Sequence, residues 1–209
     1  MESIDVYGAY PKHLPIEEEA VSRSTYFSST LGRVTLKTQI DGYDRFRITN
    51  SHYDWYLIEI LTQLDDDLNP IVGFVKKREL SKHFPKALVK TDLTLSETAL
   101  KFLGVPYRWG AKSKVETDCS GLIYQIYREH GIILPRFAHG QFQMTEKVVP
   151  GDLRVGDLIF TIVDKPVHVS MYLGNGKLIE SSGLPGVFTT RIVPLGSKPE
   201  GKLSFRRLK

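Results

Sequence analysis

Downstream of residue 22, apolar positions come in short alternating runs cut by turn residues. Val34-Thr35-Leu36-Lys37-Thr38 and the stretch from Tyr43 to Thr49 alternate with period two, whereas Trp55-Tyr56-Leu57-Ile58-Glu59-Ile60 and Ile71-Val72-Gly73-Phe74-Val75 are denser in aromatic and β-branched residues. Asp41-Gly42, Asn50-Ser51 and Asp65-Asp66-Asp67 read as the turns between them, and Lys76 to Leu80 closes the set. Five short strands in about 60 residues predict a small β-barrel. It is assigned to residues 23–82. Residues 1–22 read as an irregular arm, because Pro11 and Pro15 break regular structure and Glu17-Glu18-Glu19-Ala20 allows at most one helical turn.

After a linker at 83–93 the period changes. Thr94-Leu95-Ser96-Glu97 fits a capping box, Leu95, Ala99, Leu100 and Leu103 form the apolar face of a short helix, and Gly104 ends it. An aromatic turn, Pro106-Tyr107-Arg108-Trp109-Gly110, leads to Asp118-Cys119-Ser120-Gly121, where an apolar-periodic run begins. That run predicts a helix burying Leu122, Ile123, Ile126 and Tyr127 and stopping at Gly131. Leu158-Ile159-Phe160 and His168 to Leu173 then read as strands. Gly174-Asn175-Gly176 turns the second into Lys177-Leu178-Ile179-Glu180-Ser181. One helix packed on an antiparallel sheet makes residues 94–209 an α+β domain.

Composition narrows the chemistry. With 41% hydrophobic and 25% charged residues among 209, the chain is an ordinary globular one. The net charge of +4 is spread along it, and the basic tail (Lys198, Lys202, Arg206, Arg207, Lys209) reads as solvated surface rather than a nucleic-acid footprint. No apolar run reaches the length of a membrane span. Residues 1–7 have neither a basic n-region nor an apolar h-region, so a cytoplasmic location is expected, with the cell envelope or secretion as the alternative for a trimmed precursor. A single cysteine excludes an intrachain disulfide and a Cys-rich zinc site, and the scattered histidines form no ligand cluster. No metal, no cofactor and a monomer are the expectations.

That one cysteine, Cys119, falls at a helix N-terminus, where unpaired N–H groups and the helix dipole favour a thiolate; the competing reading is a small buried hydrophobe. A nucleophilic thiol needs a base. His13, His83 and His52 lie outside the second half, and His130 sits at a helix C-terminus, where a cation is favourable for structural reasons. His139, in a loop, is the rival to His168, which begins a strand and can be held rigidly.

Taken in order, Pro106-Tyr107-Arg108-Trp109-Gly110, Asp118-Cys119-Ser120-Gly121, Leu134-Pro135-Arg136, Gly156-Asp157-Leu158-Ile159-Phe160 and His168-Val169 with Tyr172-Leu173-Gly174-Asn175-Gly176 resemble the NlpC/P60 family of cysteine peptidases, which have a papain-like fold. The strand at Trp55 with Gly73-Phe74-Val75 resembles a bacterial SH3-like (SH3b) domain. The pair together resembles γ-D-glutamyl-diamino-acid endopeptidases acting on murein stem peptides, L-Ala-γ-D-Glu-diamino acid. The resemblance implies Cys119 as nucleophile and His168 as base. It puts the third, orienting residue twelve positions on, at Glu180, where the family often has His. A carboxylate there can accept the imidazole Nδ1–H and stabilise the imidazolium; a solvent-exposed strand Glu is the competing reading. Asp118 and Ser120 are implied in binding the free α-amine and the D-Glu carboxylate, against simple N-capping by Asp118. Tyr107 is implied beside the oxyanion; Trp109 reads as cleft wall or core, and Arg136 as structural. Asp54, Tyr56 and Glu59 are candidates for closing one end of the cleft. An amidase, acyltransferase or toxin-like hydrolase on the same scaffold, and a non-catalytic wall-binding module, remain open.

Overall fold

A computed structural model describes residues 4–7, 36–81, 90–184, 186–198 and 202–209. Packing divides the chain into two compact units, Met1–Thr62 with Pro70–Ala87 and Gln63–Asn69 with Leu88–Lys209. His13, His83 and most of the expected arm and linker lie outside the described residues.

The first unit is a five-stranded sheet in the order β2-β1-β5-β4-β3. Its strands are β1 (Ile4–Tyr7), β2 (Leu36–Ile40), β3 (Phe46–His52), β4 (Trp55–Leu64) and β5 (Pro70–Lys76). Alternation buries Ile58 and Ile60 from β4 and Ile71 and Val75 from β5, with Val6 and Ile40 beside them. Three expectations are corrected. Ile4–Tyr7 is no irregular arm: Ile4 and Val6 are buried, and β1 pairs antiparallel with β2 and β5. Asn50-Ser51 is not a turn, because β3 continues through a register shift between Ile48 and Asn50; the chain reverses at Tyr53, whose φ is +41°. Lys77–Leu80 adds no strand but a single helical turn, α1. A closed barrel is not shown, since β2 and β3 are unpaired edges among the described residues.

The second unit holds helices α2 (Leu95–Leu100), α3 (Cys119–Glu129) and α4 (Ala138–Gln143). Its six strands are β6 (Thr145–Lys147), β7 (Leu158–Ile162), β8 (Pro166–Gly174), β9 (Lys177–Leu184), β10 (Val187–Pro194) and β11 (Leu203–Leu208), in the order β10-β9-β8-β7-β11-β6. Thr94 and Glu97 complete the predicted capping box at α2. Leu122, Ile123 and Ile126 of α3 are fully buried against Leu158, Phe160, Val169, Met171 and Ile179 of the sheet. Truncating one of them to Ala is worth about 2–5 kcal/mol. Gly131, at φ +78°, stops the helix as expected, and Asn175 and Gly176, both left-handed, turn β8 into β9.

β10 is an edge strand that the pattern did not reveal. Residues 104–107 cover part of it. Gly104 N donates to Thr190 O at 2.9 Å, Thr190 N to Val105 O at 2.8 Å, and Tyr107 N to Phe188 O at 3.1 Å.

Candidate active site

The site is assembled at the N-terminus of α3. Asp118 is its cap and accepts from Gly121 N at 2.6 Å. The same carboxylate also takes Gly110 N at 2.8 Å, Ser120 Oγ at 3.2 Å, and both Arg136 nitrogens at 2.8 and 3.0 Å. Arg136 is fully buried and donates further to Ala111 O at 2.9 Å and Ser120 Oγ at 3.1 Å. A bidentate buried pair of this kind fixes the loop 110–111 against the first turn of the helix. Gly121 is required there, because a Cβ would lie 2.3 Å from Ala111 O.

Cys119, 6% exposed, opens α3, and its side chain favours the charged form of the His168 ring on β8. His168 Nε2 lies 2.8 Å from Glu180 Oε2 on β9. The nitrogen assignment expected for Glu180 is therefore reversed: Nε2 meets the carboxylate, which leaves Nδ1 for the thiol. The reason is the ring's placement between its two neighbours, α3 carrying the thiol and β9 carrying the acid. Glu180 is buried with a side chain 2% exposed, so it is no solvent-facing strand residue. Burial works against a charged His168, but the hydrogen bonds and charges of Cys119 and Glu180 outweigh it and raise the ring to about 9. Burial likewise opposes charge on Glu180, yet His168 and Lys198 bring it down to about 2. Carboxylate and imidazolium thus stabilise each other's charged forms across the neutral range, the arrangement that orients a base beside a nucleophile.

Tyr107 is half-buried, and its hydroxyl is held above the ordinary phenol range by burial first, then by the charges of Cys119 and Asp118, with Arg136 opposing. It stays a proton donor. Its ring has room because residue 183 is glycine; a Cβ there would sit 2.4 Å from Tyr107 Cε1.

Other sequence candidates fall elsewhere. Ser120 is buried within the Asp118–Arg136 cluster. Trp109 is 67% exposed, so the core alternative for it is overturned; it lies in the turn closed by Ala111 N and Arg108 O, and the Arg108 guanidinium pairs with Glu116. His139 is on α4 rather than in a loop, and its Nε2 lies 3.1 Å from Gln143 Nε2, one helical turn on. In the first unit, Trp55 packs edge-on to Tyr7 at 5.7 Å, Tyr56 lies under the Lys77 ammonium at 5.0 Å, Glu59 pairs with Arg47, and Asp54 O accepts from Lys77 N at 2.8 Å. Two residues escaped the pattern altogether. Arg191 on β10 reaches Glu180 Oε1 at 3.2 Å, and the Lys198 ammonium bonds Glu180 Oε2. Lys198 belongs to the basic tail read as solvated, yet its side chain is 13% exposed. Among the described residues no group of three or more His, Cys, Asp or Glu side chains is arranged to hold a metal ion, and no helix is long and apolar enough to cross a membrane.

A thiol at a helix N-terminus, an imidazole and a buried acid stand at positions 119, 168 and 180, the acid where the resembled family often has His. Residues 104–192 match the NlpC/P60 family. That span is similar to an NlpC/P60 domain; it contains Tyr107, Asp118, Cys119, His168, Glu180 and Arg191 but ends before Lys198. The peptidoglycan endopeptidase RipB of Mycobacterium tuberculosis is 37% identical over 100 residues, 42% of each chain. The γ-D-glutamyl-L-lysine dipeptidyl-peptidase of Bacillus subtilis is 37% identical over 89 residues, 41% of this chain and 30% of that protein. The chain therefore spans less than half the length of these relatives. The crystal structure of an NlpC/P60 family protein from Bacillus cereus matches with a TM-score of 0.69 over 82% of this chain and 81% of that one, at 21% identity, a likeness of fold.

Proposed function

We propose that this protein is a cysteine endopeptidase that hydrolyses the bond after γ-D-Glu in bacterial cell-wall stem peptides, preferring those with a free N-terminal L-Ala. The observation that carries the reading is the line Cys119–His168–Glu180 at the N-terminus of α3. The names of relatives with the same domain, one a peptidoglycan endopeptidase and one a γ-D-glutamyl-L-lysine dipeptidyl-peptidase, support the substrate class.

In this reading the Cys119 thiolate attacks the γ-carbonyl carbon, and the carbonyl oxygen becomes an oxyanion. Tyr107 O–H and the Cys119 backbone N–H stabilise it. The His168 imidazolium gives its proton to the leaving amine of the diamino acid as the C–N bond breaks, leaving a thioester on Cys119. His168, now neutral, takes a proton from water. The resulting hydroxide equivalent cleaves the thioester and releases the γ-carboxylate. Glu180 holds the ring in register and stabilises its charged form in the resting pair.

The test is hydrolysis of L-Ala-γ-D-Glu-meso-diaminopimelate, its Lys counterpart and unrelated amides, followed by mass analysis of the products. Cleavage after D-Glu is the expected result, and Cys119→Ala, still folded, is expected to be inert. Turnover retained in that variant sinks the mechanism. Cleavage confined to unrelated amides sinks the substrate.

A further inference from the structure

Glu180 is held by more than the ring it meets. Its Oε2 accepts from His168 Nε2 at 2.8 Å and also from the Lys198 ammonium, while its Oε1 accepts from Arg191 at 3.2 Å. Ser170 Oγ adds a long contact to Oε2 at 3.4 Å. Of the two cations, Arg191 is 38% exposed and Lys198 13%, so water screens Lys198 less. Lys198 is also set by its backbone. It follows the 3-10 turn Leu195–Ser197, and its N–H donates to Leu195 O at 3.1 Å.

Consider what the shared oxygen does. A lone carboxylate has two rotamer-related ways to meet an imidazole and exerts its full negative charge on the ring. A carboxylate already bonded to an ammonium through the same oxygen keeps one orientation, and part of its charge is neutralised at the atom the ring feels. We propose that Lys198 is a positioning residue for the Cys119–His168 pair, locking Glu180 against His168 Nε2 and trimming its hold on the imidazolium so that the ring can release its proton during turnover. This rests on Cys119 and His168 acting as nucleophile and base.

The charged and titratable surroundings of His168 are few. Cys119 faces it from α3 and Glu180 from β9, with Arg191 of β10 and Lys198 behind the acid. Asp118 pairs with Arg136, and both act with Cys119 on the Tyr107 hydroxyl. Lys198 and Arg191 are therefore the cations, among the described residues, paired with the acid that orients the base.

The experiment is an NMR titration of isotope-labelled histidine in the full chain, comparing the unsubstituted protein with K198M, K198R and R191M. The rate of Cys119 alkylation by iodoacetamide is followed against pH in parallel. Removing the ammonium is expected to raise the His168 midpoint by roughly one pH unit, from Coulomb interaction at this range with strong screening. K198R is expected to restore it, and R191M to move it less. On the stem peptide, K198M is expected to lower kcat several-fold with KM nearly unchanged. Should K198M fail to fold, K198Q serves in its place with the same expected direction. A His168 midpoint unmoved in folded K198M or K198Q overturns the proposal, whatever happens to activity. The alkylation and titration arms need no substrate, so a protein that cuts no stem peptide but shows the midpoint shift refutes the substrate reading and leaves the role of Lys198 standing.

Discussion

Two buried carboxylates, Asp118 next to Cys119 in the chain and Glu180 against His168, are held in opposite ways. Asp118 is saturated by backbone N–H groups, a hydroxyl and Arg136, and its partner guanidinium is fully buried. Glu180 faces an imidazole, an ammonium and a partly exposed guanidinium. A guanidinium keeps its charge throughout the working pH range, so a carboxylate clamped by one is a fixed joint. An imidazole changes charge near neutrality, so a carboxylate set against one is tied to a moving proton. In the proposed mechanism the same acid group thus serves as scaffold or as part of the proton path according to which base it faces.

The comparison is open to attack at several points. The largest expected effect is on the fixed joint. Arg136→Met strands the buried Asp118 charge and should cost about 3–5 kcal/mol in urea denaturation; a loss under about 1 kcal/mol would remove Asp118 from the scaffold class. Next comes the acid of the proton path. Glu180→Ala should lower kcat by a factor of about 10²–10³, the scale of general acid–base assistance, while Glu180→Gln retains more activity and brings the alkaline limb of the pH profile down. An unmoved limb in Glu180→Gln would separate the acid from the base it touches.

Stability against pH tests the Glu180–His168 pair from both sides. His168 is raised to about 9 from an ordinary 6.5, so its contribution is complete below 6.5 and is lost as pH climbs through 9. Glu180 is lowered from 4.5 to about 2, so its contribution is complete above 4.5 and is lost as pH falls towards 2. Melting temperature followed from pH 2 to 10 should therefore fall at both ends. The alkaline loss, but not the whole of the acid loss, should vanish in His168→Ala.

Gly183→Ala is gentler. Its new methyl must displace the Tyr107 ring, so kcat should drop with stability reduced by about 1–3 kcal/mol. The smallest effect is expected far from both carboxylates. Thr94→Ala removes one half of the capping box at α2 and should cost about 1 kcal/mol with unchanged catalysis.

What could be read beforehand was what is local in the chain. The capping box at Thr94, the stop at Gly131, the Asn175-Gly176 turn and the position of Cys119 each depend on a few neighbouring residues. The unread features depend on distant ones. Ile4–Tyr7 becomes a strand only because β2 and β5 flank it, and four residues carry too little periodicity to announce that. Lys198, Arg206 and Arg207 looked like a solvated tail. Instead Lys198 meets Glu180, Arg206 stacks over Phe142 at 3.9 Å, and Arg207 pairs with Asp157 at 2.7 Å. Charge alone does not say whether a partner waits in the fold. The position of Glu180 was legible through the family spacing. The choice of imidazole nitrogen was not, because it depends on which elements lie on either side of the ring.

The loop bearing Tyr107 also holds the outer side of β10 through three backbone hydrogen bonds. An uncovered sheet edge offers its N–H and C=O groups to any extended chain, including another copy of the same protein. Two of the exposed side chains on that strand, Phe188 and Ile192, are apolar and would reward such pairing. The segment that carries Tyr107 is therefore also a guard against self-association, and substitutions that loosen it should show first as aggregation on storage.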